Sequence, residues 1–282
     1  MRSLKDLGKQ SFKAYLRMLR IRDWLGYFLI AILGYIIFTE LDTYILETIL
    51  FCGLISLYLG FSFSINNCFD IKEDLMVMKK NNPIAMGELS QMEGIIFSLS
   101  LALIGMFLAL LRGLNVFLFS SILVFLSFSY SSPPFRLKSK PFLDLISHGL
   151  FFGSLLFLFP SVFFKEISFL NVLIATSIFH FSMILELRNG IEDYEGDRKA
   201  GLRTTACTLG LSKSKKITYF FSLLFPLTLF PVYYIVSNYI LLLLFSIMTV
   251  IFYLAFYNVG SYRVLDIYAS ISYSLIVLGV IL

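Results

Sequence analysis

Two stretches of the chain carry the same polar pattern. One reads Asn66-Asn67-Cys68-Phe69-Asp70-Ile71-Lys72-Glu73-Asp74, the other Asn189-Gly190-Ile191-Glu192-Asp193-Tyr194-Glu195-Gly196-Asp197. Both are N-x-x-x-D-x-x-x-D, and each matched position is offset by 123 residues, as from Asn66 to Asn189. A spacing of four stacks Asn66, Asp70 and Asp74 on one helix face, and Asn189, Asp193 and Asp197 on another. Four carboxylates brought together near a membrane surface repel one another and resist burial. Mg²⁺ resolves that cost: it takes a few carboxylate oxygens, keeps some waters and shares its other positions with substrate phosphates. Two aspartate-rich helix ends facing each other are thus a receptor for a diphosphate. A single D-x-x-x-D is commonly no more than a solvated helix end. It is the repeat, on two corresponding helices, that argues for a site.

The elements that must position these residues are membrane spans. The 282-residue chain is 58% hydrophobic, 17% aromatic and only 15% charged, with a mean hydropathy of +0.84. A soluble domain carries about 25% charged residues. A disordered chain would be polar and poor in aromatics, three cysteines make no disulfide framework, and a membrane barrel would show alternating segments of about 10 residues. The class expected is an all-α integral membrane protein, 1–282 forming one transmembrane domain. Nine apolar runs of about span length are legible: Trp24–Phe38, Ile45–Phe69, Ile95–Leu111, Leu114–Tyr130, Leu143–Phe164, Phe169–Leu187, Ile217–Val236, Tyr239–Tyr257 and Leu265–Leu282. Hairpin turns are expected at Arg112-Gly113 and Ser237-Asn238, and a kink at Pro160. Nine alternating crossings place 21 of the 23 Lys and Arg residues on one face, leaving Arg112 and Lys165 opposite. The positive-inside rule makes that face cytoplasmic, with the N-terminus inside and the C-terminus outside.

The motifs follow helices 2 and 6 of this scheme. Four spans separate them, so both emerge on the cytoplasmic face, as in a bundle of two parallel pseudo-repeats with its site at the repeat interface. Residues 1–22 read as a basic interfacial helix, Leu4, Leu7, Phe12, Leu16 and Leu19 against Lys9, Lys13, Arg17 and Arg20. No cleavable signal peptide is expected. The charge of +5 reflects topology and anionic lipid heads rather than nucleic acid.

With these residues in view, the chain resembles the UbiA-type superfamily of intramembrane prenyltransferases, over essentially its whole length. Tyr130-Ser131-Ser132-Pro133-Pro134-Phe135-Arg136-Leu137-Lys138 is similar to the family's Y-x-x-x-P-x-R-L-K loop after the fourth helix. Asp197, Gly201 and Thr204 match its D-x-x-x-G-x-x-T continuation of the second motif. Three positions depart from the pattern. Asn67 stands where an Asp is usual, Asn189 where others often carry an acid, and Lys79-Lys80-Asn81-Asn82-Pro83 lacks the Arg found before the family's Gly.

The resemblance implies Mg²⁺-dependent transfer of an isoprenyl chain from an allylic diphosphate to a hydrophobic, aromatic or lipid acceptor within the bilayer. It implies two metal ions, one on Asn66, Asp70 and Asp74, the other on Asp193, Asp197 and Asn189. Arg22, Lys138 and Lys80, with Arg136 and Arg203 as weaker candidates, would hold diphosphate oxygens. Tyr130 would donate a hydrogen bond to the leaving group or shield the allylic cation with its ring. Benzoates, naphthoates, porphyrin vinyl groups and glycerol-phosphate ether lipids all serve as acceptors in the superfamily, and the short chain resembles compact members of archaeal lipid synthesis.

Plainer readings stand beside these. Arg22, Arg136 and Lys138 sit where topological anchors sit, and Tyr130 where interfacial tyrosines do. His148 and His180 have no partner at ligand spacing and are expected to pack or hydrogen-bond locally; Cys52, Cys68 and Cys207 form no C-x-x-C pair. A transporter would carry its acids near mid-span, a nucleotide-lipid phosphotransferase a D-G-x-x-A-R run that is absent here, and a non-catalytic assembly factor would have no reason to keep both motifs.

Overall fold

A computed structural model describes residues 4–39, 45–76, 81–164, 166–236 and 238–281, with side chains from Phe12 onward. Among the described residues the regular elements are helices: α1 (Leu4–Leu19), α2 (Leu25–Phe38), α3 (Ile45–Phe69), α4 (Ile71–Met76), α5 (Gln91–Arg112), α6 (Leu114–Ser131), α7 (Leu143–Val162), α8 (Phe169–Glu192), α9 (Tyr194–Ala200), α10 (Thr205–Leu209), α11 (Leu211–Val236), α12 (Tyr239–Val259) and α13 (Tyr262–Ile281). Eight of them are long and apolar enough to cross a membrane. The first expected span, α2, has 14 residues, or about 21 Å of helix against a hydrocarbon core of about 30 Å.

Local chemistry sets the helix ends. Gly113, at φ 149°, turns α5 into α6 as expected. Ser90 and Glu93 form a reciprocal capping box at the start of α5, and Asn238 caps α12; its expected turn partner Ser237, like Lys165, lies outside the described residues. The fifth span is not a uniform helix. Gly149–Ser154 forms a wide π-helical turn and Phe159–Val162 a tight 3₁₀ turn at Pro160. Seryl and threonyl hydroxyls inside the spans donate to carbonyls one turn back, as Ser98 to Gly94 and Ser222 to Thr218, both at 2.8 Å, which satisfies them where lipid offers no partner.

Packing places α7 at the centre. Phe157 joins a core with Phe38, Ile178, Phe225, Tyr233 and Phe256, while Phe151, Leu156 and Phe159 join Phe51, Leu59 and Leu123. In lipid such contacts stabilise through close van der Waals packing rather than through exclusion of water. Gly34 shows how close it is, since a Cβ there would lie 2.0 Å from the Phe157 carbonyl oxygen. Gly34→Ala must push α2 off α7, and we expect it to cost about 1–3 kcal/mol, read as a lowered unfolding temperature in detergent.

In the N-terminal helix the described side chains run from Phe12 onward. Its buried residues are Ala14 and Met18, with Phe12 and Leu16 exposed. Ser64 Oγ donates to the Met18 carbonyl at 3.1 Å, so α1 is anchored on α3. The side chains of Leu4, Leu7 and Lys9 lie outside the described ones.

Candidate active site

Both polar repeats fold alike. The long helix stops just before the first aspartate, Asp70 or Asp193, and resumes just after it as α4 or α9. Backbone bonds run through the break: Asp70 N to Asn66 O at 3.0 Å, Asp74 N to Asp70 O at 2.9 Å, Asp193 N to Asn189 O at 2.8 Å and Asp197 N to Asp193 O at 3.0 Å. The four-residue stacking is therefore kept. α4 packs on α9, and Lys72 Nζ donates to the Ala200 carbonyl at 3.1 Å.

Between the repeats lies a cleft of about 30 Å³ lined by Asp70, Glu73, Asp74, Lys138, Asp193 and Asp197. It shares Asp70, Lys138, Asp193 and Asp197 with a cavity of about 540 Å³ that runs inward to Phe63, Phe151 and Phe152. Among the described residues Lys138 is the one cation lining the cleft, its Nζ 2.6 Å from Asp70 Oδ2. Burial alone would lower its pKa, but Asp70, with Asp197 and Glu73, outweighs burial and holds it above the ordinary lysine value. Asp74 accepts from Asn82 at 2.8 Å. Arg136 binds Glu73 and, at 3.2 Å, the Phe69 carbonyl.

Among the described residues no three acids or imidazoles stand at mutual metal-ligand spacing. The donor set nonetheless fits hard cations. Asp70 Oδ1 and Glu73 Oε2 are buried and accept no hydrogen bond from the described residues, with the Arg136 guanidinium 4.0 Å from Asp70 Oδ1, and such oxygens are costly unless a cation or donor reaches them. Asp197 shows the same strain: burial, reinforced by Asp193, Asp70 and Glu73 against the opposing pull of Lys138, raises its pKa to about 6.

The cavity is layered. Beneath the acids Tyr130 donates to Glu186 Oε1. Asn189 Nδ2 is 3.5 Å from Glu186 Oε2, and His148 Nε2 is 3.4 Å from the same oxygen. The Tyr27 hydroxyl pairs with His148 Nε2 at 3.2 Å. Deeper still, Tyr27 stacks on Phe152 with ring centroids 4.4 Å apart. The π-helical turn that presents Phe151 and Phe152 sits flush on α8, where a Cβ at Gly153 would lie 2.9 Å from Ser182. At the rim, Asp144 accepts from the Thr205 backbone at 2.6 Å, tying the loop after Asp197 to the start of α7.

The expected site residues divide. Asp70, Asp193, Asp197, Asn66, Asn189, Tyr130 and Lys138 line the cavity, and Asp74 the cleft. Asn66 Nδ2 turns toward Ser131 Oγ at 3.4 Å, and the Tyr130 hydroxyl is already engaged by Glu186. Arg22 and Arg203 are exposed and outside the lining of both spaces. Arg20 lines the cavity instead, because its left-handed backbone (φ 52°) ends α1 and its guanidinium lies 5.2 Å above the Phe63 ring. Arg136 is spent on Glu73, outside that lining. Lys80 lies outside the described residues. Asn67, in place of the usual Asp, is buried with its amide 3.4 Å from the Met18 carbonyl, a position where an acid would face another acceptor.

Glu186, Asp144 and Arg20 complete the site without having been read as site residues in the sequence, and His148, expected to pack or hydrogen-bond locally, joins them. Only Glu186 left a signal there: three residues before Asn189 and seven before Asp193, it extends the same helical face inward.

Residues 27–273 match the model of the UbiA prenyltransferase family. Among curated relatives, the digeranylgeranylglyceryl phosphate synthase of Sulfurisphaera tokodaii is 27% identical over 83% of this chain and 83% of its own. That of Saccharolobus solfataricus is 28% identical over 73% of this chain and 72% of its own. Among solved structures, a UbiA homolog from Archaeoglobus fulgidus bound to GPP and Mg²⁺ superposes with a TM-score of 0.73 at 22% identity, covering 95% of this chain and 98% of that one. A digeranylgeranylglyceryl phosphate synthase structure gives 0.73 at 21% identity, over 96% and 99% of the two chains.

Proposed function

Because the chain belongs to the UbiA prenyltransferase family, we propose that this multi-pass membrane enzyme moves an isoprenyl chain from an allylic diphosphate to a glyceryl phosphate ether lipid, as its synthase relatives are named for. The observation that carries the reading is the polarity of the cavity. Five acids, Asp70, Glu73, Asp74, Asp193 and Asp197, line one end, and Phe63, Phe151 and Phe152 the other. That is a receptor for a molecule with a multivalent anionic head and a hydrocarbon tail.

Asp70 and Asp74 on one helix end, and Asp193 and Asp197 on the other, would hold two Mg²⁺ ions. When bound, these stabilise the diphosphate as a leaving group by drawing off its charge. Lys138 reaches the same oxygens from the loop after α6. Tyr130, with Tyr27 and Phe152 below it, presents aromatic faces to the carbon that becomes cationic. We read α2 as the first of nine crossings and the acidic end as cytoplasmic, on the strength of the basic residues around it.

The test is direct. Purified protein given labelled geranylgeranyl diphosphate and geranylgeranylglyceryl phosphate should form the diether with Mg²⁺ and none with a chelator. An aromatic acceptor replacing the lipid would redirect the acceptor class. The raised pKa of Asp197 adds a pH signature. A carboxylate titrating near 6 is protonated below that value and cannot hold metal, so turnover should fall as pH drops through about 6. Because metal and proton compete for the same oxygens, raising Mg²⁺ should move that acid limb to lower pH. A limb indifferent to Mg²⁺ would detach Asp197 from the metal.

A further inference from the structure

The layer between the acids and the phenyl floor has no role in holding a diphosphate, yet it contains a carboxylate and an imidazole. Along α8, Glu186 lies seven residues inward of Asp193, about 10 Å at helical rise. On α3 the same step leads from Asp70 to Phe63. With the diphosphate among the aspartates and the tail toward Phe63, Phe151 and Phe152, the reacting carbon of the donor lies at the level of Glu186, and the acceptor must bring its nucleophile there.

Hydrogen-bond accounting shows what that nucleophile carries. Ser182 Oγ lies 3.0 Å from His148 Nδ1 and 3.2 Å from the His148 carbonyl. His148 Nε2 pairs with the Tyr27 hydroxyl at 3.2 Å. Glu186 Oε1 is served by Tyr130. Glu186 Oε2 has two longer polar contacts, the Asn189 amide at 3.5 Å and His148 Nε2 at 3.4 Å. Its polar contacts are the longest of a nearly buried cluster, and Glu186 lines the cavity. Such an atom favours a ligand that supplies a hydrogen and penalises one that does not.

We infer that Glu186, held by Tyr130 and backed by His148, is the acceptor-binding residue, and that it receives the hydroxyl hydrogen of an alcohol. As the bond between the allylic carbon and the diphosphate oxygen breaks, its electron pair leaving with the diphosphate, the hydroxyl oxygen would form the new carbon–oxygen bond and its proton would pass to the Glu186 carboxylate, so the product is an ether. This rests on the prenyl-transfer reading and assigns the residue that holds the acceptor hydroxyl within it.

The experiment uses the full chain in detergent with geranylgeranyl diphosphate, geranylgeranylglyceryl phosphate as the alcohol, and its deoxy analogue, in which hydrogen replaces the free hydroxyl. In Glu186→Ala the KM for the alcohol should rise at least about tenfold while the KM for the donor stays within about twofold. The deoxy analogue should inhibit the wild type at least about tenfold more weakly than the alcohol binds. If Glu186→Ala fails to fold, Glu186→Gln carries the test with a smaller rise, still confined to the acceptor. Equal shifts in both KM values, or a deoxy analogue that binds as tightly as the alcohol, would overturn the assignment. Transfer to an aromatic carbon and none to the alcohol would overturn it alone, whereas no transfer by the wild type to any acceptor would defeat the prenyl-transfer reading itself.

Discussion

Asp70→Asn is expected to lower prenyl-transfer turnover by at least about 10³-fold, and Asp193→Ala to do the same from the other repeat. Asp70 has two tasks that the amide cannot share. Its Oδ2 anchors Lys138 at 2.6 Å, and its Oδ1 is a buried oxygen with no hydrogen-bond partner among the described residues, 4.0 Å from the Arg136 guanidinium. An isosteric amide keeps the shape and loses the charge, so metal affinity falls while packing stays. The variant should therefore retain its unfolding temperature in chelator within a few degrees, since removing one of several crowded acids also removes repulsion. A stability gain that Mg²⁺ confers on the wild type should disappear in the variant, by linkage. Full turnover in either aspartate variant would sink the two-metal assignment.

Lys138→Met should cost about 10²-fold in turnover, the scale of losing one preorganised donor to developing negative charge. Among the basic candidates described, it is the one that lines both the acidic cleft and the cavity. The surrounding carboxylates keep it protonated, its pKa held above the usual lysine range chiefly by Asp70 against the effect of burial. Arg22→Met and Arg203→Met, both at exposed positions, should change turnover by less than about threefold beyond any effect of charge on expression. The contrast checks the geometry, because a topological role for all three would make their effects alike. The measurement is kcat at saturating donor, with KM reported separately.

Much of this site was legible as periodicity. A spacing of four needs only helical geometry to stack Asp70 on Asp74 and Asp193 on Asp197, and an even number of spans needs only a membrane to bring both pairs to one face. Arg22 and Lys138 show where that reasoning stops. Both sit near span ends on the expected face, and nothing local separates an exposed guanidinium from an ammonium buried among carboxylates. Arg20 is harder still, since it enters the cavity through a left-handed backbone at the end of α1.

The sequence by itself determined the membrane class, the doubled acidic motif and the kind of head group that motif can hold, because each depends on composition or on contacts within one helix. Only the tertiary structure decided the middle layer of the cavity. Tyr27 reaches His148 across 121 residues, Tyr130 reaches Glu186 across 56, and His148 reaches Ser182 across 34. Those contacts depend on how far each helix is rotated about its own axis against its neighbours. Close approaches such as Gly34 on Phe157 and Gly153 on Ser182 set that rotation. It is a property of packed surfaces, which hydrophobic periodicity along a lipid-bathed helix does not encode.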